Sequence, residues 1–166
     1  MAQNLELKIQ INSIEEIEQI LLGLDIEKKG ILRQRDIYYK SAKGLLKLRC
    51  ENGTYCIIKY LRDETAKQRW SDYEILRLEG NNVERYLQEL FEVEVIVEKS
   101  RQLYLYKNTR IHLDRVNKLG DFIELETVVN STQENAIQEF NELVQLLKVN
   151  KSEQIKCSYR DLLIRQ

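Results

Sequence analysis

Asn4-Leu5-Glu6-Leu7-Lys8-Ile9-Gln10-Ile11 alternates polar and apolar residues without a break. A period of two belongs to a β-strand with two different faces. One face carries Leu5, Leu7 and Ile9, the other Asn4, Glu6 and Lys8, so this strand divides an apolar environment from a charged one. Directly after it, Ser13 and Glu16 have capping-box spacing, and Ile14, Ile17, Leu21 and Leu24 recur on one side at helical spacing. That pattern predicts a short amphipathic helix.

Further along the chain, β-type segments are expected at 31–40, 45–51, 54–62 and 67–78, punctuated by Gly44 and by the hairpin dipeptide Asn52-Gly53. A helix fits 82–91, with Val83, Leu87, Leu90 and Phe91 as its stripe, and strands resume at 93–106, 109–117 and 120–129, the last two joined by a turn at 117–120. Ser131 with Glu134 forms a second capping box, which opens a helix striped by Ile137, Phe140, Val144 and Leu147, and a last short helix begins near Ser158. About eight strands, with no βαβ alternation and no repeat, predict an α+β chain built as a closed eight-stranded antiparallel β-barrel with the helices packed outside. Closure removes exposed sheet edges, and each helix stripe needs an apolar partner.

The 166 residues fit a single domain, 1–166, and 43% apolar with 32% charged residues fits a soluble globular protein. There is no apolar run of the roughly 18–20 residues a membrane helix needs, and the start Met1-Ala2-Gln3 lacks a signal peptide's basic and apolar regions; a cytoplasmic location without membrane association is expected. Cys50, Cys56 and Cys157 have no metal-like spacing and read as reduced structural thiols. With 26 Lys plus Arg against 27 Asp plus Glu, the net charge is −1, so no global basic field attracts nucleic acid. Any anion site must be local.

Residues two apart in a strand share a face. Glu6 and Lys8, Lys47 and Arg49, Lys99 and Arg101, the triplet Arg110, His112 and Asp114, and the pair Glu124 and Glu126 are therefore neighbours on five strands. Solvated outer faces of a half-buried sheet would carry such pairs too. Same-sign pairs about 7 Å apart repel, however, and a surface gains nothing specific from them, whereas a site for an anion and a cation does. Because Leu5, Leu7 and Ile9, Leu46 and Leu48, and Ile111 and Leu113 form the opposite, helix-receiving face, the charges point inward, and an eight-stranded barrel has room for one small ligand. Glu6, Asp114, Glu124 and Glu126 offer hard oxygen ligands for Mg²⁺ or Mn²⁺, while Lys8, Lys47, Arg49, Lys59, Lys99, Arg101 and Arg110 can neutralise an extended polyanion. Together they suggest a metal-bound polyphosphate. Lys59 faces inward only if the face it shares with Tyr55 and Ile57 is mixed, Arg62 has the opposite parity, and Asp72 and Glu74 read as surface charges ahead of ligands. His112 reads as a hydrogen-bonded wall residue before a catalyst. Trp70 and the nine tyrosines read as strand packing.

The run Asn4-Leu5-Glu6-Leu7-Lys8 resembles the Glu-x-Glu-x-Lys signature of the CYTH superfamily, the triphosphate tunnel metalloenzymes, which include class IV adenylyl cyclases and thiamine triphosphatases. Gln34-x-Asp36-x-Tyr38, Lys47-Leu48-Arg49, Lys59-Tyr60-Leu61-Arg62, Ser71-Asp72-Tyr73-Glu74, Lys99-x-Arg101, Arg110-x-His112-x-Asp114, Leu119-Gly120 and Glu124-x-Glu126 follow in the family's order over nearly the whole chain. The resemblance implies an eight-stranded tunnel in which Glu6, Asp114, Glu124 and Glu126 hold one or two divalent metals, with Glu74 a weaker member of that set. Lys8, Lys47, Arg49, Lys59, Lys99, Arg101 and Arg110 would then grip the triphosphate of ATP, tripolyphosphate or thiamine triphosphate. Asn4 departs from the signature by replacing its first Glu: an amide oxygen can ligate a metal but brings no charge. Three functions stay open: an adenylyl cyclase, which the resemblance names first, a triphosphate phosphohydrolase, and a non-catalytic nucleotide- or polyphosphate-binding module. The oligomeric state is open as well, a homodimer included.

Overall fold

The computed structural model describes residues 2–24, 26–62 and 69–166, with the backbone alone at residues 2, 61, 62 and 69–71. The opening alternation becomes β1 (Ala2–Ile11), followed by α1 (Ile14–Leu22), β2 (Glu27–Tyr39), β3 (Leu45–Glu51), β4 (Thr54–Arg62) and β5 (Arg69–Leu78). Then come α2 (Val83–Leu90), β6 (Val93–Tyr106), β7 (Thr109–Val116), β8 (Gly120–Val128), α3 (Gln133–Leu146) and α4 (Tyr159–Ile164). The eight strands close in the order β1-β5-β4-β3-β2-β6-β7-β8, with β8 returning to β1, and every pairing is antiparallel. The expected barrel is the observed one. No helix among the described residues is long and apolar enough to cross a membrane.

The apolar core lies outside the barrel wall. Leu5, Leu7 and Ile9 of β1, Ile111 and Leu113 of β7, and Ile123 and Leu125 of β8 pack against Ile14 and Leu21 of α1 and Phe140, Leu143 and Val144 of α3. Each such side chain contributes about 1.5–3 kcal/mol by leaving water, which fixes the alternate, charged residues of the same strands toward the bore. A second outer cluster sets Leu87 and Val83 of α2 on Ile37, Tyr39 and Leu48. Only half of the predicted α2 stripe is used there: Leu90 is 60% exposed and Phe91, just past the helix, 41%, although its ring still lies 5.8 Å from that of Tyr39.

A third cluster closes one end of the bore from within. Tyr38, Val97, Val116 and Phe122 share the inward faces of their strands with the charged residues, and Tyr159 at the start of α4 packs among them. Its ring meets that of Phe122 edge-on at 5.0 Å. The backbone amide of Ile155 donates to the Lys8 carbonyl (2.8 Å), and Arg160 ties α4 to Glu94 on β6 (Nε–Oε2 2.5 Å).

Local corrections are few. The second strand starts at Glu27 rather than 31, with a bulge at Gly30, where φ is +132° and the register with β6 shifts; a kink of that kind hides the strand period from a sequence scan. Ser13 caps α1 through the Glu15 amide, not a Glu16 box, and α3 is capped by Thr132 through Asn135, one residue past Ser131. The reciprocal capping box occurs at α4, between Ser158 and Asp161.

Candidate active site

The inward faces meet around a cavity of about 270 Å³. Asn4, Glu6 and Lys8 from β1, Gln34 from β2, Lys47 and Arg49 from β3, Lys99, Arg101 and Leu103 from β6, Arg110 and His112 from β7, and Glu124 and Glu126 from β8 line it. The wall made by β4 and β5 is different in kind: Ile58, Tyr60, Tyr73 and Ile75 face the cavity there. One wall is thus apolar and aromatic while the others are charged.

The strand register explains how so many charges share one bore. Lys8 lies opposite Glu124 and Glu6 opposite Glu126 across β1 and β8, and His112 and Arg110 flank the same two glutamates from β7. Lys8 Nζ stands 3.3 Å from Glu124 Oε1, Arg101 Nη2 2.5 Å from Glu124 Oε2, and Arg110 Nη2 2.9 Å from Glu126 Oε2. The same-sign pairs Lys47/Arg49 and Glu124/Glu126 are held by opposite charges on neighbouring strands, which offsets their mutual repulsion. Asn4, with its amide turned to suit its neighbours, presents its oxygen to Arg110 Nη2 at 3.1 Å.

Two buried carboxylates serve the bases instead of facing the cavity. Asp36 accepts from Lys47 (2.7 Å) and from both Nε and Nη2 of Arg49 (2.8 Å each). Burial works against charge on Asp36, but Arg49 and Lys47 outweigh it and hold the carboxyl well below the usual range. Asp114 accepts both arms of Arg101 at 2.6 Å and the Tyr159 hydroxyl at 2.9 Å, with Lys99 Nζ 3.4 Å away. Burial opposes its ionisation too, yet Arg101 and Lys99 bring it down to about 2. Asp114, expected among the metal ligands, instead has both oxygens engaged by Arg101 and Tyr159 and lies behind the cavity lining, where it fixes the arginine.

Lys59 is also corrected. Ile58 and Tyr60 face the bore, so Lys59 between them faces out, exposed and 3.3 Å from an equally exposed Glu74. Glu74 is a surface charge, and Asp72 accepts from Gln3 (3.2 Å). The side chain of Arg62, like that of Trp70, lies outside the described residues. Of the predicted residues, Glu6, Lys8, Lys47, Arg49, Lys99, Arg101, Arg110, Glu124 and Glu126 come together at the cavity, with Asn4 and His112.

Asp36, Ser158 and Tyr159 are site residues that the strand pairs and the family motifs did not single out for a role. Asp36 carried a signal, since it alternates with Gln34 and Tyr38. Tyr159 did not: it reaches the site from a helix end, with Lys8 Nζ 4.1 Å and Lys99 Nζ 4.9 Å from its ring centre, and Lys8 Nζ donates to the Cys157 carbonyl at 2.9 Å.

The donor set suits a divalent cation. Ligand atoms of His112, Glu124 and Glu126 lie within 4.8 Å of one another, and carboxylate oxygens are the ligands that Mg²⁺ and Mn²⁺ take. Burial, and then Arg101, pull His112 down to about 4, so the imidazole is neutral near pH 7 and open to coordination. Lys99 is drawn down to about 8 by burial and by Arg101.

A closed barrel whose bore pairs carboxylates with a ring of lysines and arginines defines a charged-tunnel protein. The CYTH domain profile matches residues 2–159, and the chain belongs to that family, whose members process triphosphates. A Methanocaldococcus jannaschii protein named as a candidate adenylate cyclase is 26% identical over 95% of this chain and 96% of its own. A Pyrococcus horikoshii structure superposes with a TM-score of 0.83 at 24% identity, covering 96% of this chain and 98% of that one. A Hippeastrum protein described as a candidate adenylyl cyclase with a dominant triphosphatase activity has the same fold, with a TM-score of 0.70 at 11% identity over 99% of this chain and 96% of that one.

Proposed function

We propose that this tunnel binds a nucleoside triphosphate with a divalent metal ion and acts as a class IV type adenylyl cyclase, converting ATP to cyclic AMP and pyrophosphate. The observation that carries the reading is the division of the bore: Glu124 and Glu126 stand together on β8, and Lys8, Arg101, Arg110, Lys47 and Arg49 surround them. Glu124 and Glu126, with Glu6 beside them, would hold Mg²⁺ or Mn²⁺. When bound, the ion supplies positive charge to the phosphate oxygens as negative charge builds on the leaving group.

The chain's own residues do the positioning. Asp36 aims Lys47 and Arg49, and Asp114 aims Arg101, so the donors are set before substrate arrives and need no reorganisation as charge develops. The ribose 3′-hydroxyl would attack the α-phosphorus, losing its proton as pyrophosphate leaves. Tyr60, Tyr73, Ile58 and Ile75 give an organic base a surface to lie on, and the M. jannaschii relative's name agrees with that assignment.

A phosphohydrolase is the second reading. It is favoured by the cavity volume, about 270 Å³, which falls below the roughly 300–1,000 Å³ of pockets that enclose a drug-sized ligand and suits a bare phosphate chain. Incubation with ATP, tripolyphosphate and thiamine triphosphate, each with Mg²⁺ or Mn²⁺, separates the outcomes. Cyclic AMP with pyrophosphate is the expected product; orthophosphate release means hydrolysis, and tight binding without turnover means a binding module.

A further inference from the structure

The chain has a single histidine, and the fold puts it among the glutamates. His112 lies on β7 between Glu124 of β8 and Leu103 of β6 and is 4% exposed. Its Nδ1 is buried and makes no hydrogen bond with any described residue. A buried polar atom without a partner is unfavourable and calls for a reason. Nδ1 stands 3.7 Å from Glu126 Oε1, whereas Glu126 Oε2 is the oxygen engaged by Arg110. Cis ligands of an octahedral ion, each about 2.1 Å from it, are about 3 Å apart, so this pair would draw somewhat closer together to share one metal. Glu124 brings a third ligand atom into the same 4.8 Å group.

We infer that His112 coordinates the divalent ion through Nδ1, and that the mixed His112, Glu124 and Glu126 set selects Mn²⁺ over Mg²⁺. The inference rests on the reading that the tunnel holds a divalent metal, and it adds the donor and the choice of ion. Mg²⁺ favours oxygen ligands and keeps much of its water. A neutral imidazole is bound more strongly by first-row transition ions, so replacing one oxygen ligand by this nitrogen tilts the site toward Mn²⁺. The surroundings favour such a role, since Leu103 lies opposite His112 on β6 and offers the ring no polar partner.

The test uses the intact chain with Mn²⁺ as a spin probe, grown with ¹⁴N- or ¹⁵N-histidine and otherwise natural-abundance nitrogen. Electron spin echo modulation should show a directly bound nitrogen whose coupling changes with the label, and that signal can come only from the one histidine. Calorimetry should give wild-type binding of Mn²⁺ at least about tenfold tighter than of Mg²⁺, with His112→Leu losing that preference while still binding Mg²⁺. His112→Leu keeps a ring-sized apolar volume, and its melting curve reports whether it folds; the labelling experiment on wild type needs no variant. Mn²⁺ bound without histidine nitrogen coupling overturns the assignment of His112 and leaves the metal site standing. Binding of neither ion, with or without tripolyphosphate, overturns the metal reading and this inference with it.

Discussion

Arg101 and Asp114 form a two-armed ion pair across β6 and β7, with Nε–Oδ1 and Nη2–Oδ2 both at 2.6 Å and the aspartate fully buried. The same Nη2 reaches Glu124, so one guanidinium links a structural carboxylate to a cavity carboxylate. Arg101 owes its aim to Asp114, and the cavity owes its charge pattern to Arg101.

Removing Asp114 should damage the fold more than the metal site. Asp114→Ala leaves Arg101, Lys99 and the Tyr159 hydroxyl without their shared acceptor, and breaking a buried pair of this kind costs about 3–5 kcal/mol. Urea denaturation should show that loss. Asp114→Asn, which keeps the shape, should retain Mn²⁺ binding, whereas Glu124→Gln should lose most of it; metal binding abolished by Asp114→Asn alone would restore Asp114 as a ligand.

Arg49 and Lys59 make a matched contrast. Arg49 lines the cavity with Asp36 behind it, and a charge-assisted contact is worth about 1.5–3 kcal/mol, so Arg49→Ala should weaken tripolyphosphate binding by roughly ten- to a hundredfold with the fold retained. Lys59→Ala removes only an exposed pair, worth about 0–1 kcal/mol, and should leave affinity unchanged. Equal losses in the two variants would contradict the outward placement of Lys59.

Lys99 gives the tunnel a pH signature. Burial and Arg101 hold its folded pKa at about 8, below the ordinary 10.5. Between about pH 8 and 10.5 the unfolded chain binds more protons at this group than the folded one does, so its contribution to stability rises with pH across that window. Anion affinity runs the other way, because the ligand-free tunnel loses a positive charge above pH 8. Tripolyphosphate affinity should fall by up to about tenfold per pH unit from 8 upward. Lys99→Arg stays charged, and its affinity should lack that decline; identical pH profiles for the two would exclude Lys99 as the cause.

The barrel was legible because its strands have two unlike faces. In Leu5-Glu6-Leu7-Lys8 the period of two states both that a strand forms and which side meets the helices. The pairs on β3, β7 and β8 then converge, since closure leaves their charged faces nowhere else to point. What stayed hidden depends on register and on chain ends. The opposed positions of Asp36 and Arg49, and of Arg101 and Asp114, set two carboxylates behind the bases as supports, and no single strand records its neighbour's register. Lys59 sits in a run, Tyr55 to Arg62, where both faces carry apolar residues, so alternation could not decide its side. Tyr159 enters from a short helix far along the chain, and His112 appeared as one member of a charged triplet until β8 set two glutamates beside it.

On the proposed reading, the bore holds a triphosphate and a divalent metal together. Calorimetric titration of the wild-type chain with an ATP analogue resistant to turnover, with and without Mn²⁺, tests it most directly. One site per chain, with affinity raised by Mn²⁺ and lowered by added salt, is the predicted result; no binding of the analogue under either condition, by a chain whose melting curve shows it folded, would contradict the account.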